Sequence, residues 1–167
     1  GQNNAGKSAI LDAIQCVFPS TKKVIDRSDF HKGTHDDIEI CIWFNGVTDK
    51  YLEEKLFADT ISKLFDKIKV MEEDGSAVEK IEGAKKKAAD TREQKLAEAK
   101  EIYQVSDNTM CVKMVVKNTD SRLATKYYVD VNSVKEIKEV ELKKILPILK
   151  VIPAIRDPKN ESTAGTN

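Results

Sequence analysis

The chain has 167 residues, 40% apolar and 34% charged, with 28 basic and 28 acidic side chains and a formal net charge of zero. That length suits one domain or one lobe of a larger one, and the balanced charge gives no bulk electrostatic case for a nucleic-acid partner. Three scattered cysteines without a C-x-x-C pair favour reduced thiols over a disulfide framework or zinc site. No apolar run approaches the ~20 residues of a membrane span, so the expectation is a cytoplasmic protein without membrane contact.

The first eight residues, Gly1-Gln2-Asn3-Asn4-Ala5-Gly6-Lys7-Ser8, spell G-x-x-x-x-G-K-S, the phosphate-binding loop of P-loop nucleotidases. In such a loop the glycines let backbone N–H groups turn inward on the β-phosphate. The lysine, here Lys7, reaches the β- and γ-oxygens, and the Ser8 hydroxyl holds Mg²⁺. ATP and Mg²⁺ are therefore the expected ligands, with Gly1, Asn3, Asn4, Ala5, Gly6, Lys7 and Ser8 around the nucleotide. A helix should follow, with Ile10, Leu11, Ile14, Val17 and Phe18 on one apolar face, until Pro19 stops it. A P-loop hangs from a buried parallel strand. None precedes Gly1, so the sequence reads as part of a longer protein.

Residues 19–37 read as a polar connection. Two histidines and several carboxylates between Asp29 and Asp37 invite a metal reading, but no ligand spacing matches a known site and an exposed loop is expected. Ile38, Ile40, Ile42 and Phe44 alternate with polar positions as a half-buried strand, which Asn45-Gly46 ends. Trp43, on the other face, marks a contact surface or, by preference, packs at the sheet edge or under the following helices. Residues 50–104 read as a charged helical segment. An amphipathic helix carries Leu52, Leu56, Phe57, Ile61, Leu64, Phe65 and Ile68, and the break at 72–76 leads into a thinly apolar stretch read as a solvated arm. Lys85-Lys86-Lys87 is flanked by carboxylates and reads as a solvated helix face rather than a DNA patch.

Met110–Lys117 and Leu123–Val131 form a β-hairpin around Asn118-Thr119-Asp120-Ser121, able to join the Ile38–Phe44 strand in an antiparallel meander. The pattern Ser133-Val134-Lys135-Glu136 predicts a helix from Ser133 to just before Pro147. Ile148–Ile155 reads as a buried strand whose Pro153 demands an edge or an end, and residues 158–167 as a polar tail. The reading is thus an α/β lobe over residues 1–157, with a mixed sheet, an antiparallel meander and a helical insertion.

Gly1–Ser8 with Ala-Ile-Leu-Asp-Ala-Ile14 resembles the heads of SMC/RecF-type, ABC-class ATPases. Ser28-Asp29-Phe30-His31 and Val151-Ile152-Pro153-Ala154-Ile155-Arg156-Asp157 are similar to stretches of the OLD (overcoming lysogenisation defect) family of ATP-dependent endonucleases. The resemblance covers both ends of the chain and not residues 50–104. It implies the N-terminal lobe of a P-loop ATPase head that dimerises through its heads, acts on DNA and controls a C-terminal Toprim nuclease. Arg156 and Asp157 would stand near the Q-loop, although no glutamine is there, and a structural salt bridge of Arg156 with Asp157 or with the hairpin is an equal reading. No catalytic residue is expected within the chain, which by itself should neither hydrolyse ATP nor cut DNA. The alternative is an SMC/RecF-like repair or structural ATPase head without nuclease activity, with residues 50–104 as a protein-binding arm. A third reading is an inactive scaffold.

Overall fold

A computed structural model describes residues 5–31 and 36–152. Its elements in chain order are α1 (Ala5–Val17), β1 (Ile38–Asn45), α2 (Asp49–Leu56), α3 (Ala58–Glu73), α4 (Val78–Ile102), β2 (Thr109–Asn118), β3 (Leu123–Tyr128), β4 (Glu136–Ile137) and α5 (Glu139–Ile145). The four strands form one antiparallel sheet in the order β1-β2-β3-β4. This is a mixed α/β chain in which, among the described residues, no strand pairs in parallel.

The alternation in β1 works as the sequence predicts. Ile38, Ile40, Ile42 and Phe44 turn inward while Glu39, Cys41 and Trp43 stay exposed. The register sets Ile40 opposite Met114 and Ile42 opposite Val112, so one face of β1 and β2 is a continuous apolar platform. The C-terminal end of α1 packs on it: Val17 and Phe18 are buried, and the Phe18 ring meets Phe44 edge-on with centroids 6.0 Å apart. Phe18 leaves the helical conformation ahead of Pro19, and Thr21 Oγ1 donates to the Gln15 and Phe18 carbonyls at 2.8 and 2.9 Å, closing the helix end.

Between β1 and β2 the chain makes an all-helical excursion. Gly46, at φ 81°, lets it leave the strand, and Val47 N–H donates to the Asn108 carbonyl at 2.9 Å, joining the two stems of the insertion. The amphipathic stretch is two helices rather than the one expected. Phe57 departs from helical geometry at φ −151°, ψ 22°, and its ring is buried in the core, so packing breaks the helix where periodicity alone would continue it. α4 is a single 25-residue helix whose two halves differ. Leu96, Ala99 and Tyr103 join the main core, which corrects the solvated-arm reading for this half. Farther out, Ile68 and Ala88 are buried apart from that core, and Lys85 pairs with Glu72 at 2.9 Å.

α5 is held by its carbonyls. Tyr51 Oη donates to the Ile145 carbonyl at 2.6 Å, Lys55 Nζ to that of Leu146 at 3.3 Å, and Tyr103 Oη to that of Glu141 at 3.1 Å. Burial, with Glu141 adding to it, lifts the Tyr103 hydroxyl to about 12, so it remains a donor. The helix begins at Glu139, not Ser133. Ser133 has φ 57° and belongs to a turn around Asp130, whose carboxylate accepts from the Asn132, Val134 and Lys135 N–H groups. That carboxylate outcompetes the Ser133 cap, and Glu136 and Ile137 pair with β3 instead. The strand expected over Ile148–Ile155 is also corrected in its described part. Residues 148–152 are not in the sheet, and Ile152 is 88% exposed. Residues 153–155 lie outside the described residues.

Two outcomes are expected. In amide exchange, Leu96–Tyr103 protects as strongly as β2, whereas residues 70–92, with few buried apolar contacts, exchange faster. Uniform protection along α4 contradicts this gradient. For Asp130, burial raises the carboxyl pKa, but the Lys135, Val134 and Asn132 N–H bonds outweigh it and leave the folded value below normal. Its contribution is therefore complete above the unfolded pKa near ~3.9 and disappears as pH falls through the lower folded value. Asp130→Ala should cost about 1 kcal/mol at pH 7 and progressively less in acid, read from urea midpoints.

Candidate phosphate-binding site

Ala5, Gly6, Lys7 and Ser8 form the first turn of α1. Nothing in Gly6-Lys7-Ser8-Ala9 breaks a helix beyond the modest cost of the glycine, so the loop motif runs directly into helical backbone. The side chains of Lys7 and Ser8 are exposed, and the first turn carries no acidic residue. The N–H ends and partial positive charge of the helix thus coincide with a lysine ammonium and a serine hydroxyl. At Gly6 an added Cβ would meet no atom within 4 Å. Among the described residues, packing does not require glycine there, as it does not at Gly46, Gly75 or Gly83.

The other predicted site residues separate into two groups. Gly1, Asn3 and Asn4 lie outside the described residues, as do Arg156 and Asp157. Of the metal reading between Asp29 and Asp37, His31 is exposed, residues 32–35 are outside the described residues, and no group of three or more His, Cys, Asp or Glu side chains among the described residues is placed to hold a metal. The Asp29 carboxylate instead accepts from the Asp26 N–H at 2.9 Å, closing a capping box.

α1 departs from the expected apolar face. Ile14 is half-buried and Val17 and Phe18 are fully covered, but Ile10 and Leu11 are 64% and 55% exposed. Among the described residues the helix packs on the sheet through its C-terminal half, leaving its N-terminal turns projecting from the platform. Lys85 pairs with Glu72 and Glu82, and Lys85, Lys86 and Lys87 are all exposed, the solvated helix face that the sequence suggests. Trp43 is not tucked under the helices. It is 59% exposed and lines a shallow groove on the outer sheet face with Gln104, Cys111 and Val131.

Sequence reasoning missed one arrangement on that face. Cys41 and Cys111, 70 positions apart and read as unrelated thiols, have their sulfurs 3.1 Å apart. Only the strand register brings them together, and no spacing rule in the sequence carries that signal.

Among the described residues no helix is long and apolar enough to cross a membrane. Comparison with known proteins finds no matching family model, no similar curated protein and no similar solved structure.

The half-buried geometry of α1 has a direct consequence for stability. Ile10→Ser and Leu11→Ser should change the unfolding free energy by no more than about 0.5 kcal/mol. Val17→Ala should lower it by about 2 kcal/mol, because its methyl groups fill the platform contact. Comparable losses at all three positions would show that the whole helix face is covered.

Proposed function

We propose that this chain is the nucleotide-binding lobe of an ATP-dependent DNA endonuclease of the OLD type, in which ATP turnover controls a separate nuclease domain. One observation carries the reading: Gly6, Lys7 and Ser8, the end of the G-x-x-x-x-G-K-S motif, stand in the first turn of α1 with the lysine and serine side chains exposed. A phosphate chain seated there would meet helix N–H groups, the Lys7 ammonium and the Ser8 hydroxyl together. A glycine at position 6 lets an anion approach the backbone closely, and the Ser8 hydroxyl is an oxygen donor of the hard type that Mg²⁺ takes. Bound Mg²⁺ would neutralise charge on the β- and γ-phosphates. The chain's part is binding: Lys7 fixes the phosphate oxygens, and the Gly6 backbone sets how near they come. In the parent protein the partners are ATP, DNA and a second head.

A second reading, an SMC/RecF-like structural or repair ATPase head, is favoured by the outer half of the α3–α4 pair. There Phe65, Val70 and Val78 remain exposed, as on an arm that meets a partner. Metal-dependent cleavage of DNA by the full-length protein separates the two: cleavage supports the nuclease reading and ATPase activity without cleavage supports the other.

The site itself is tested by two substitutions in the full-length protein. Lys7→Ala should weaken Mg-ATP binding about 10- to 100-fold, the loss of a charge-assisted contact, while leaving the denaturation midpoint unchanged. Gly6→Ala should preserve or raise stability by up to about 1 kcal/mol, since alanine suits a helix better, and still impair nucleotide binding by filling the approach. Undiminished ATP affinity in both variants would place the nucleotide elsewhere.

A further inference from the structure

The two sulfurs on the outer sheet face are placed for chemistry that the nucleotide reading does not use. β1 and β2 pair with Cys41 opposite Lys113 and Trp43 opposite Cys111, so the cysteines are diagonal neighbours on one face. Their Sγ atoms stand 3.1 Å apart, against about 2.0 Å in a disulfide, so side-chain rotation together with a small closing shift of β1 on β2 must bring them roughly 1 Å nearer. The pair is asymmetric in access: Cys41 is exposed and Cys111 buried. Lys113, 9% exposed, lies beside them with its Nζ 2.8 Å from Glu39 and donating to the Val131 carbonyl at 3.1 Å.

We propose that Cys41 and Cys111 form a thiol–disulfide modification site, oxidised by a low-molecular-weight disulfide of the glutathione class to an intramolecular cystine that ties β1 to β2. The Cys41 thiolate, reachable from solvent, attacks one sulfur of the oxidant. That S–S bond breaks, one glutathione thiolate leaves, and a mixed disulfide forms on Cys41. Cys111 then loses its proton to solvent and attacks the Cys41 sulfur, expelling the second glutathione thiolate. The protein gives up two electrons and two protons, and one oxidised glutathione becomes two reduced ones.

The order follows from the surroundings. Burial first, and then the hydrogen bond and charge of Cys41, push the Cys111 thiol up to about 12, which makes it a poor first attacker. Once Cys41 carries the mixed disulfide, its charge is gone and the target sulfur is already beside Cys111. The Lys113 ammonium, which acts in the opposite sense on Cys111, favours its thiolate at this step. The product would have a structural effect as well. β1 and β2 are the two stems of the helical insertion, so a cystine between them fixes the base of α2, α3 and α4 and constrains the unfolded chain.

The whole chain equilibrated with oxidised glutathione, alkylated and mass-mapped is the test. The expected result is a species lighter by two hydrogens, a Cys41–Cys111 linked peptide pair, an alkylated Cys16, and complete reversal by dithiothreitol. Its thermal midpoint should rise on oxidation and return on reduction. Cys111→Ser should stop at a stable glutathione adduct on Cys41, and Cys16→Ser should behave as the parent. The proposal is overturned by three free thiols after equilibration, by a persistent adduct on Cys41 in the parent chain, by links through Cys16 or between chains, or by a fall in the midpoint on oxidation.

Discussion

Everything in this structure leans on β2. From Met110 to Val116 every residue of that strand is buried, although the sheet has a solvent side. Its inner row, Met110, Val112, Met114 and Val116, is shared by α1 on one side and the helical insertion on the other. Its outer row, Cys111, Lys113 and Val115, is shielded by neighbours on β1 and by the chain after β3. A strand covered on both faces tolerates no one-residue slip, because each slip would trade Lys113 for a valine in the core. That register is what fixes the rest.

Two consequences follow from it. The first is the pose of α1, whose C-terminal turn is locked by Val17, Phe18 and the Phe18–Phe44 contact while its first turn stands clear of the sheet. Lys7 and Ser8 then stand exposed in a first turn that carries no acidic residue. The second is the anchoring of the insertion. Tyr51, Lys55 and Tyr103 reach across to α5 carbonyls, so α2 and the end of α4 are tied to the same core as the sheet. The outer parts of α3 and α4 have no such ties, which gives one continuous helix two mechanical characters.

Charge is handled locally rather than globally. Lys113 is matched by Glu39, Lys100 by Asp49 and Arg92 by Glu53, so the sheet face and insertion are stitched by neighbouring ions. Of these, the more exposed Lys100–Asp49 and Arg92–Glu53 pairs contribute little each. Asp130 differs, since it organises a turn through three backbone N–H groups and thereby decides where α5 begins.

The sequence by itself determined the elements whose pattern is local. Period-two alternation marked β1, the turn residues after Lys117 marked the hairpin, and Pro19 ended α1. Its errors fell where core packing or a competing hydrogen bond outvoted the simplest local rule. Phe57 breaks a helix that its neighbours would continue because its ring belongs in the core. Ser133 loses its capping role because Asp130 holds the same stretch of backbone, and Leu96 and Tyr103 are core residues in a stretch too thinly apolar to suggest it. Only the tertiary structure decided that Ile10 and Leu11 face outward and that Cys41 meets Cys111. Both depend on which strands pair and in what register, and that is set by contacts between residues some 70 positions apart, beyond the reach of any local pattern.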